Sequence, residues 1–397
     1  MEKLRKRHTL LLKQVDLKFY RYTMHTLPWD ERLIGIKGAR GVGKTTLLLQ
    51  YIINHYGFSD EALYISLDNL YFTDNLLSDF VDDFVSKGGK HLFIDEVHKY
   101  PGWAIELKNI YDLHFNLKIT FTGSSLLQIL SSSADLSRRA LVFNMQGLSF
   151  REYLNITLNE DFKVIPFNEI IKGHIPIALD ILKYTKPLKY FDTYLKTGYY
   201  PFFTENRQYY FQRLLEVINM TIDIELPSMR GVDPANTRKI KQLLYIIAHS
   251  SPFKPNISKL AEKIGITRNT LNEYFKILVE SRLLSMLNKN ASGINLLQKP
   301  DKIFLENTNI AYAISISDPD KGNLRETFFL NQLSVNHEVT YPEKGDFLID
   351  KKYLFEVGGK NKTRKQIAGI KNAFIATDDN EFGYENKIPL WLFGFLY

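Results

Sequence analysis

Residues 38–46 read Gly-Ala-Arg-Gly-Val-Gly-Lys-Thr-Thr, which fits G-x-x-x-x-G-K-[ST] with Gly38, Gly43, Lys44 and Thr45 at the fixed positions. The flanks narrow the fold further. Leu33-Ile34-Gly35-Ile36 is a short apolar run suited to a buried parallel strand, and Thr45 to Tyr56 reads as a helix. Strand, glycine-rich loop and helix in that order predict backbone N–H groups converging on phosphate oxygens at the positive end of a helix. The whole run is the candidate cradle: Gly38, Ala39, Arg40, Gly41, Val42, Gly43, Lys44, Thr45 and Thr46. Lys44 is expected to reach the β and γ phosphates of ATP, and the Thr45 hydroxyl to hold Mg²⁺.

A second motif completes the first. His91-Leu92-Phe93-Ile94-Asp95-Glu96 is an apolar strand ending in two carboxylates, about fifty residues after the loop. Asp95 is the candidate Mg²⁺ ligand, through water. Glu96 is the candidate general base that polarises the attacking water. A pure nucleotide binder has no need of that glutamate, so the pair predicts hydrolysis of ATP.

At 397 residues the chain has room for two to four domains. It contains no cysteine, which excludes disulfides and thiolate-bound zinc. No apolar run approaches the roughly eighteen residues a membrane span needs, so no membrane partner is expected. The basic N-terminus is followed only by Leu10-Leu11-Leu12 before Lys13, too short for a secretory signal, and a cytoplasmic location is the default. A net charge of +7 permits nucleic-acid contact without requiring it.

Residues 1–155 alternate strands and helices, as an open parallel sheet with helices on both faces would. Ala62–Leu67, Leu117–Thr122 and Leu141–Met145 are the further expected strands. Thr73–Val85 is expected as one helix capped by Thr73, and a helix opens at Pro101-Gly102-Trp103. Residues 156–235 read as a helical lid. Residues 236–295 carry helix–turn–helix spacing, with Gly265 at the turn, Thr267 as cap and a wing strand from Leu283-Leu284. Arg268, Asn269, Asn272, Glu273 and Lys276 would share the exposed face of the second helix. Contact with DNA and a purely structural role both stay open there. Residues 296–397 read as a helix at Asn323–Leu333, a hairpin of Asp346–Ile349 with Tyr353–Val357, a helix from Thr363, and strands at Ala373–Ala376 and Leu390–Phe395.

The chain resembles the prokaryotic AAA-type ATPases that join a P-loop domain, a helical lid and a winged helix to a C-terminal α/β domain of restriction-endonuclease-like fold. The matching runs are GARGVGKTTLL, LFIDEVHKYPGW, ITFTGSS, LSRR at 136–139, LSFREYL at 148–154, TGYYP and FEVGGKNK at 355–362. The resemblance implies a sensor role for Ser124, with Thr122 as the alternative. It implies an arginine finger at Arg139, where Arg138 replaces the family's usual glycine, and with it a homo-oligomer. In the C-terminal domain it implies Asp346, Glu356 and Glu326 as metal-binding carboxylates with a lysine two residues after Glu356. That position is Gly358, and Lys360 is the nearest substitute. An inactive nuclease fold is therefore expected. Three functions compete: a nucleotide-driven switch acting on a protein partner that the sequence does not identify, a DNA-processing enzyme with a working nuclease, and a nucleotide-gated DNA-binding regulator.

Overall fold

The computed structural model describes residues 1–124, 136, 138–249, 256–289, 300–315, 318–363, 365 and 367–397. They form two compact units, Met1–Gly147 and Leu148–Tyr397.

The first unit runs α1 (Glu2–Gln14), α2 (Thr23–Thr26), β1 (Leu33–Gly38), α3 (Lys44–His55), β2 (Ala62–Ser66), α4 (Tyr71–Asp74), α5 (Leu77–Ser86), β3 (His91–Asp95), α6 (Trp103–Leu113), β4 (Lys118–Ser124) and β5 (Leu141–Asn144). The strands lie in the order β2-β3-β4-β1-β5, all parallel. Every residue of β2 and β3 is buried. Strands covered on both faces have no solvent side to alternate with, and so their sequences are continuous apolar runs. The register lines up the carboxyl ends: Gly38 lies opposite Ser124, and Ser66 opposite Asp95. Loops leaving that edge meet at one rim of the sheet, where ligands of such sheets collect.

The helix expected at Thr73–Val85 is two helices. The chain is extended at Asn75, whose side chain donates to the Tyr71 carbonyl, and Thr73 lies inside α4 rather than capping α5. The first N–H groups of α5 are taken by distant partners instead: Leu77 N by the Tyr100 hydroxyl and Ser78 N by Glu106. Tertiary acceptors have replaced the local cap.

The second unit begins with α7 (Phe150–Leu158), opened by a reciprocal capping box between Ser149 and Glu152. Then follow α8 (Phe167–Leu182), α9 (Pro187–Thr197), α10 (Tyr210–Met220), α11 (Leu226–Arg230), α12 (Thr237–Ala248), α13 (Ile257–Ile264) and α14 (Arg268–Glu280). Gly265 ends α13 in the left-handed region at φ 71°, and the Thr267 hydroxyl caps α14 by accepting from Thr270 N. β6 (Leu284–Leu287) pairs antiparallel with β7 (Lys302–Leu305). The run Thr197–Pro201 is held by buried Asn309 of α15 (Thr308–Ile314). Its side-chain oxygen accepts from Tyr199 N, and its amide donates to Leu195 O.

A second five-stranded sheet closes this unit, in the order β12-β11-β10-β9-β8. Its strands are β8 (Val339–Thr340), β9 (Phe347–Ile349), β10 (Tyr353–Gly358), β11 (Ala373–Thr377) and β12 (Lys387–Pro389), preceded by α16 (Lys321–Leu333). β8, β9 and β10 are antiparallel neighbours; β10, β11 and β12 are parallel. Phe329 of α16 packs on Phe355 of β10 at 5.1 Å between ring centroids.

One expectation fails in this region, and another falls partly outside the described residues. Leu390–Phe395 is a buried 3₁₀ helix rather than a strand. A continuous apolar run has no period to distinguish the two, and Pro389 before it cannot donate to a ladder. The helix expected from Thr363 partly falls on residues 364 and 366, outside the described residues, and 367–369 form a turn.

Candidate active site

The loop after β1 owes its shape to glycine. Gly43 sits at φ 98°, in the left-handed region, as the residue before α3. A Cβ on Gly38 would lie 2.4 Å from the Met145 carbonyl oxygen, so the strand end leaves no room for a side chain. Ala39 to Gly43 form the loop, and Lys44, Thr45 and Thr46 the first turn of α3. Lys44 is 7% exposed, and its Nζ donates to the Gly38 and Ala39 carbonyls at 2.9 and 3.0 Å. The ammonium is thereby held at the mouth of the loop it would serve.

Asp95 ends β3 and is buried. Its Oδ2 accepts from Thr45 Oγ1 at 2.6 Å and from the Tyr64 hydroxyl at 2.8 Å. Its Oδ1 accepts from Thr122 Oγ1 and from Glu96 N. Burial first, and then the Asp95 charge, push the Tyr64 phenol far above its ordinary range, so it stays a neutral donor. The two residues picked as metal ligands, Thr45 and Asp95, therefore stand side by side. A hydroxyl and a carboxylate are hard oxygen donors that suit Mg²⁺, which takes its remaining ligands from water and phosphate.

Glu96 follows with φ 55°, a left-handed conformation that costs a non-glycine residue about 1–3 kcal/mol. Its N–H is anchored by Asp95 Oδ1 at 3.1 Å and Thr122 Oγ1 at 3.4 Å, so the fold enforces the turn. Its carboxylate Oε2 lies 3.3 Å from His98 Nε2. Ser124, the last residue of β4, donates its N–H to His98 Nδ1 at 3.3 Å. Arg139 forms a two-pronged ion pair with Asp112 of α6, at 2.7 and 2.9 Å, which holds the Asp112 carboxyl below its usual range. Arg138 is exposed, while Ser125 and Ser137 lie outside the described residues.

Three residues that the motifs did not single out belong to this neighbourhood. Buried Arg21 donates to the carbonyls of Val42, Gln146 and Gly147, at 2.5, 2.7 and 2.8 Å. Tyr64 braces Asp95. His98 touches Glu96, and its one sequence signal was its place three residues after Asp95.

In the second unit, Glu326, Asp346 and Glu356 gather with two lysines. Lys302 of β7 is 4% exposed at its side chain, and its Nζ lies 2.8 Å from Glu326 Oε2 and 3.7 Å from Asp346 Oδ1. Asp346 Oδ2 accepts from Val357 N at 2.9 Å. The Glu356 carboxylate is fully buried, with neither oxygen in a hydrogen bond, and its nearest cation among the described residues is Lys362 at 3.9 Å. The lysine that approaches Glu356 is thus Lys362; Lys360 is exposed. A turn in which Lys362 N donates to Gly359 O folds the chain back over Gly358. Burial raises the Glu356 and Glu326 carboxyls. Lys362 pulls Glu356 back, while Asp346 adds to the rise at Glu326 before Lys302 opposes it. Among the described residues no three acidic or histidine side chains are arranged to hold a metal ion by themselves.

Comparison with known proteins agrees with the first unit. Residues 30–154 match the family described as AAA domain, and residues 188–320 match a domain of unknown function. Over its length the chain is 29% identical to the uncharacterized protein MJ1637 of Methanocaldococcus jannaschii, covering 90% of this chain and 82% of that protein. It is 24% identical to MJ1544 of the same organism, covering 84% and 73%. Among solved structures, a single-substitution variant of RuvB from Thermotoga maritima is similar at 17% identity and a TM-score of 0.27, covering 72% of this chain and 89% of that one. A similarity that low adds nothing to the reading of this chain. No helix among the described residues is long and apolar enough to cross a membrane. The parallel sheet, the glycine-shaped loop and the family match together make residues 30–154 a P-loop domain of the AAA type.

Proposed function

We propose that the protein is an ATP-hydrolysing molecular switch, whose nucleotide state is passed on to a partner. The observation that carries this reading is the contact of Thr45 Oγ1 with Asp95 Oδ2 beside Glu96. It supports a reading in which Mg²⁺ is held next to the base at the mouth of the phosphate loop. Lys44 and the N–H groups of residues 38–46 bind the phosphates, Glu96 orients water, and Ser124 senses the γ-phosphate. Arg139 completes the site of a neighbouring copy after leaving Asp112. Residues 156–235 serve as lid, 236–295 as a winged helix and 296–397 as an inactive nuclease-like domain, all in the cytoplasm. The test is ATP turnover by the purified protein with and without Mg²⁺. Hydrolysis should require the ion, and Asp95→Asn should lower kcat by at least about tenfold, the smaller end of what a metal-orienting carboxylate contributes. Mg²⁺-independent turnover, or an Asp95→Asn variant at full rate, would overturn the assignment.

Two observations bear on the DNA readings. Arg268, Asn269 and Lys276 are exposed on α14, which supports a duplex-binding face. Against cleavage stands Lys302, whose ammonium already sits among the oxygens that a divalent ion would need. Incubating plasmid DNA with the protein and Mn²⁺ reads both. Retention that weakens with salt is expected if α14 meets phosphates. Cleavage above background is not expected, and cleavage lost in Glu356→Ala would reverse the inactive reading.

A further inference from the structure

His98 joins the end of β4 to the base. Its side chain is 3% exposed; Nδ1 accepts the Ser124 N–H, and Nε2 lies 3.3 Å from Glu96 Oε2 without a hydrogen bond between them. A backbone amide can only donate, so Nδ1 must present its lone pair. The ring proton of the neutral imidazole is thereby assigned to Nε2, within reach of the carboxylate once the Glu96 side chain turns toward it. Glu96 is fixed at its backbone by Asp95 and Thr122, and its side chain, 25% exposed, must still be held in the rotamer that meets the attacking water. A general base is effective only in one of them. His98 occurs in a 3₁₀ turn, Val97–Lys99, directly after the left-handed Glu96. That bend carries the imidazole back beside the carboxylate two positions earlier. An ordinary helical continuation from β3 would not.

We propose that His98 is a positioning residue that holds the Glu96 carboxylate, with its own ring orientation set by the Ser124 N–H. The position of the β4 end is thus passed to the base through one imidazole. Shifting Ser124 turns the ring, and the ring turns the carboxylate. This rests on the reading of Glu96 as general base, and the experiment separates the two. His98→Ala should lower kcat for ATP about 10- to 100-fold, the cost of a base misplaced by about 1 Å. Affinity for Mg²⁺·ATP should stay within about twofold, because a residue that acts through Glu96 bears on the attacking water rather than on the bound phosphates. His98→Gln, whose amide can donate at a position like that of Nε2, should recover most of the rate. The decisive comparison is His98→Ala made in a Glu96→Gln background. A residue that acts through Glu96 has nothing left to position there, so the double variant should be no slower than Glu96→Gln alone. A further loss in the double variant, an unchanged kcat in His98→Ala, or equal loss in His98→Ala and His98→Gln would overturn the proposal. If Glu96→Gln itself turns over at the wild-type rate, the base assignment has failed instead. A circular dichroism melt on each variant removes misfolding as an explanation.

Discussion

Replacing Lys44 with Ala should remove nucleotide binding, whereas Glu96→Gln should keep it and lose turnover. The two side chains sit at one site but act at different moments. Lys44 donates to the Gly38 and Ala39 carbonyls; with nucleotide bound, the same ammonium faces phosphate oxygens. A charge-assisted hydrogen bond is worth roughly 1.5–3 kcal/mol. Losing two of them lowers affinity about 10²–10⁴-fold. Glu96 touches water only in the reacting state, and its removal should slow kcat by about 10²–10⁴-fold with little change in affinity. Titration calorimetry with Mg²⁺·ATP and a phosphate-release assay read the two quantities separately. Equal loss of binding in both variants would refute the division of roles.

Lys302→Met should destabilise the second unit more than any surface substitution. The methionine removes the cation from between Glu326 and Asp346, whose side chains are 14% and 17% exposed. Breaking a buried ion pair from one side costs about 3–5 kcal/mol. For a domain of this size that is a fall in melting temperature on the order of 10 °C. The pH dependence has a definite sign. The folded Glu326 carboxyl titrates above its ordinary value, through burial and then Asp346, while Lys302 draws it down. A raised carboxyl contributes stability below its unfolded pKa, and that contribution is lost as pH rises through the folded value. Without Lys302 the folded value rises further. The deficit of Lys302→Met should therefore be largest near neutrality and shrink as pH falls toward the carboxylate range. Lys302→Met with Glu326→Gln should regain most of the loss. Urea midpoints at several pH values test both statements, and a deficit that does not change with pH would contradict them.

The first unit was legible in the sequence because its chemistry is contiguous. Gly38 to Thr46 is one run, and Asp95-Glu96 ends one strand, so a motif and its flanks suffice. What escaped depends on tertiary geometry. Arg21 reaches carbonyls more than a hundred residues away, and Tyr64 meets Asp95 only because β2 and β3 are neighbours. In the second unit, Lys302, Glu326 and Glu356 come from three separate elements, and Asp346 from the loop before β9. Lys362, and not the expected Lys360, approaches Glu356 because of the tight turn at Gly359, which spacing along a strand does not express. The split of α4 from α5 had a similar origin. The apolar spacing is helical throughout, but Leu77 and Ser78 found acceptors on Tyr100 and Glu106.

Arg21 also decides how this domain comes apart. A guanidinium buried among three carbonyls ties the middle of the phosphate loop, at Val42, to the exit from β5, at Gln146 and Gly147. Opening either segment strands a charged donor away from water, so neither frays alone. Loops usually exchange their amide protons through small local openings far below the global unfolding energy. Here the loop is fastened to the sheet it leaves, so residues around Val42 and Gly147 should surrender their amides to deuterium together, in one cooperative event.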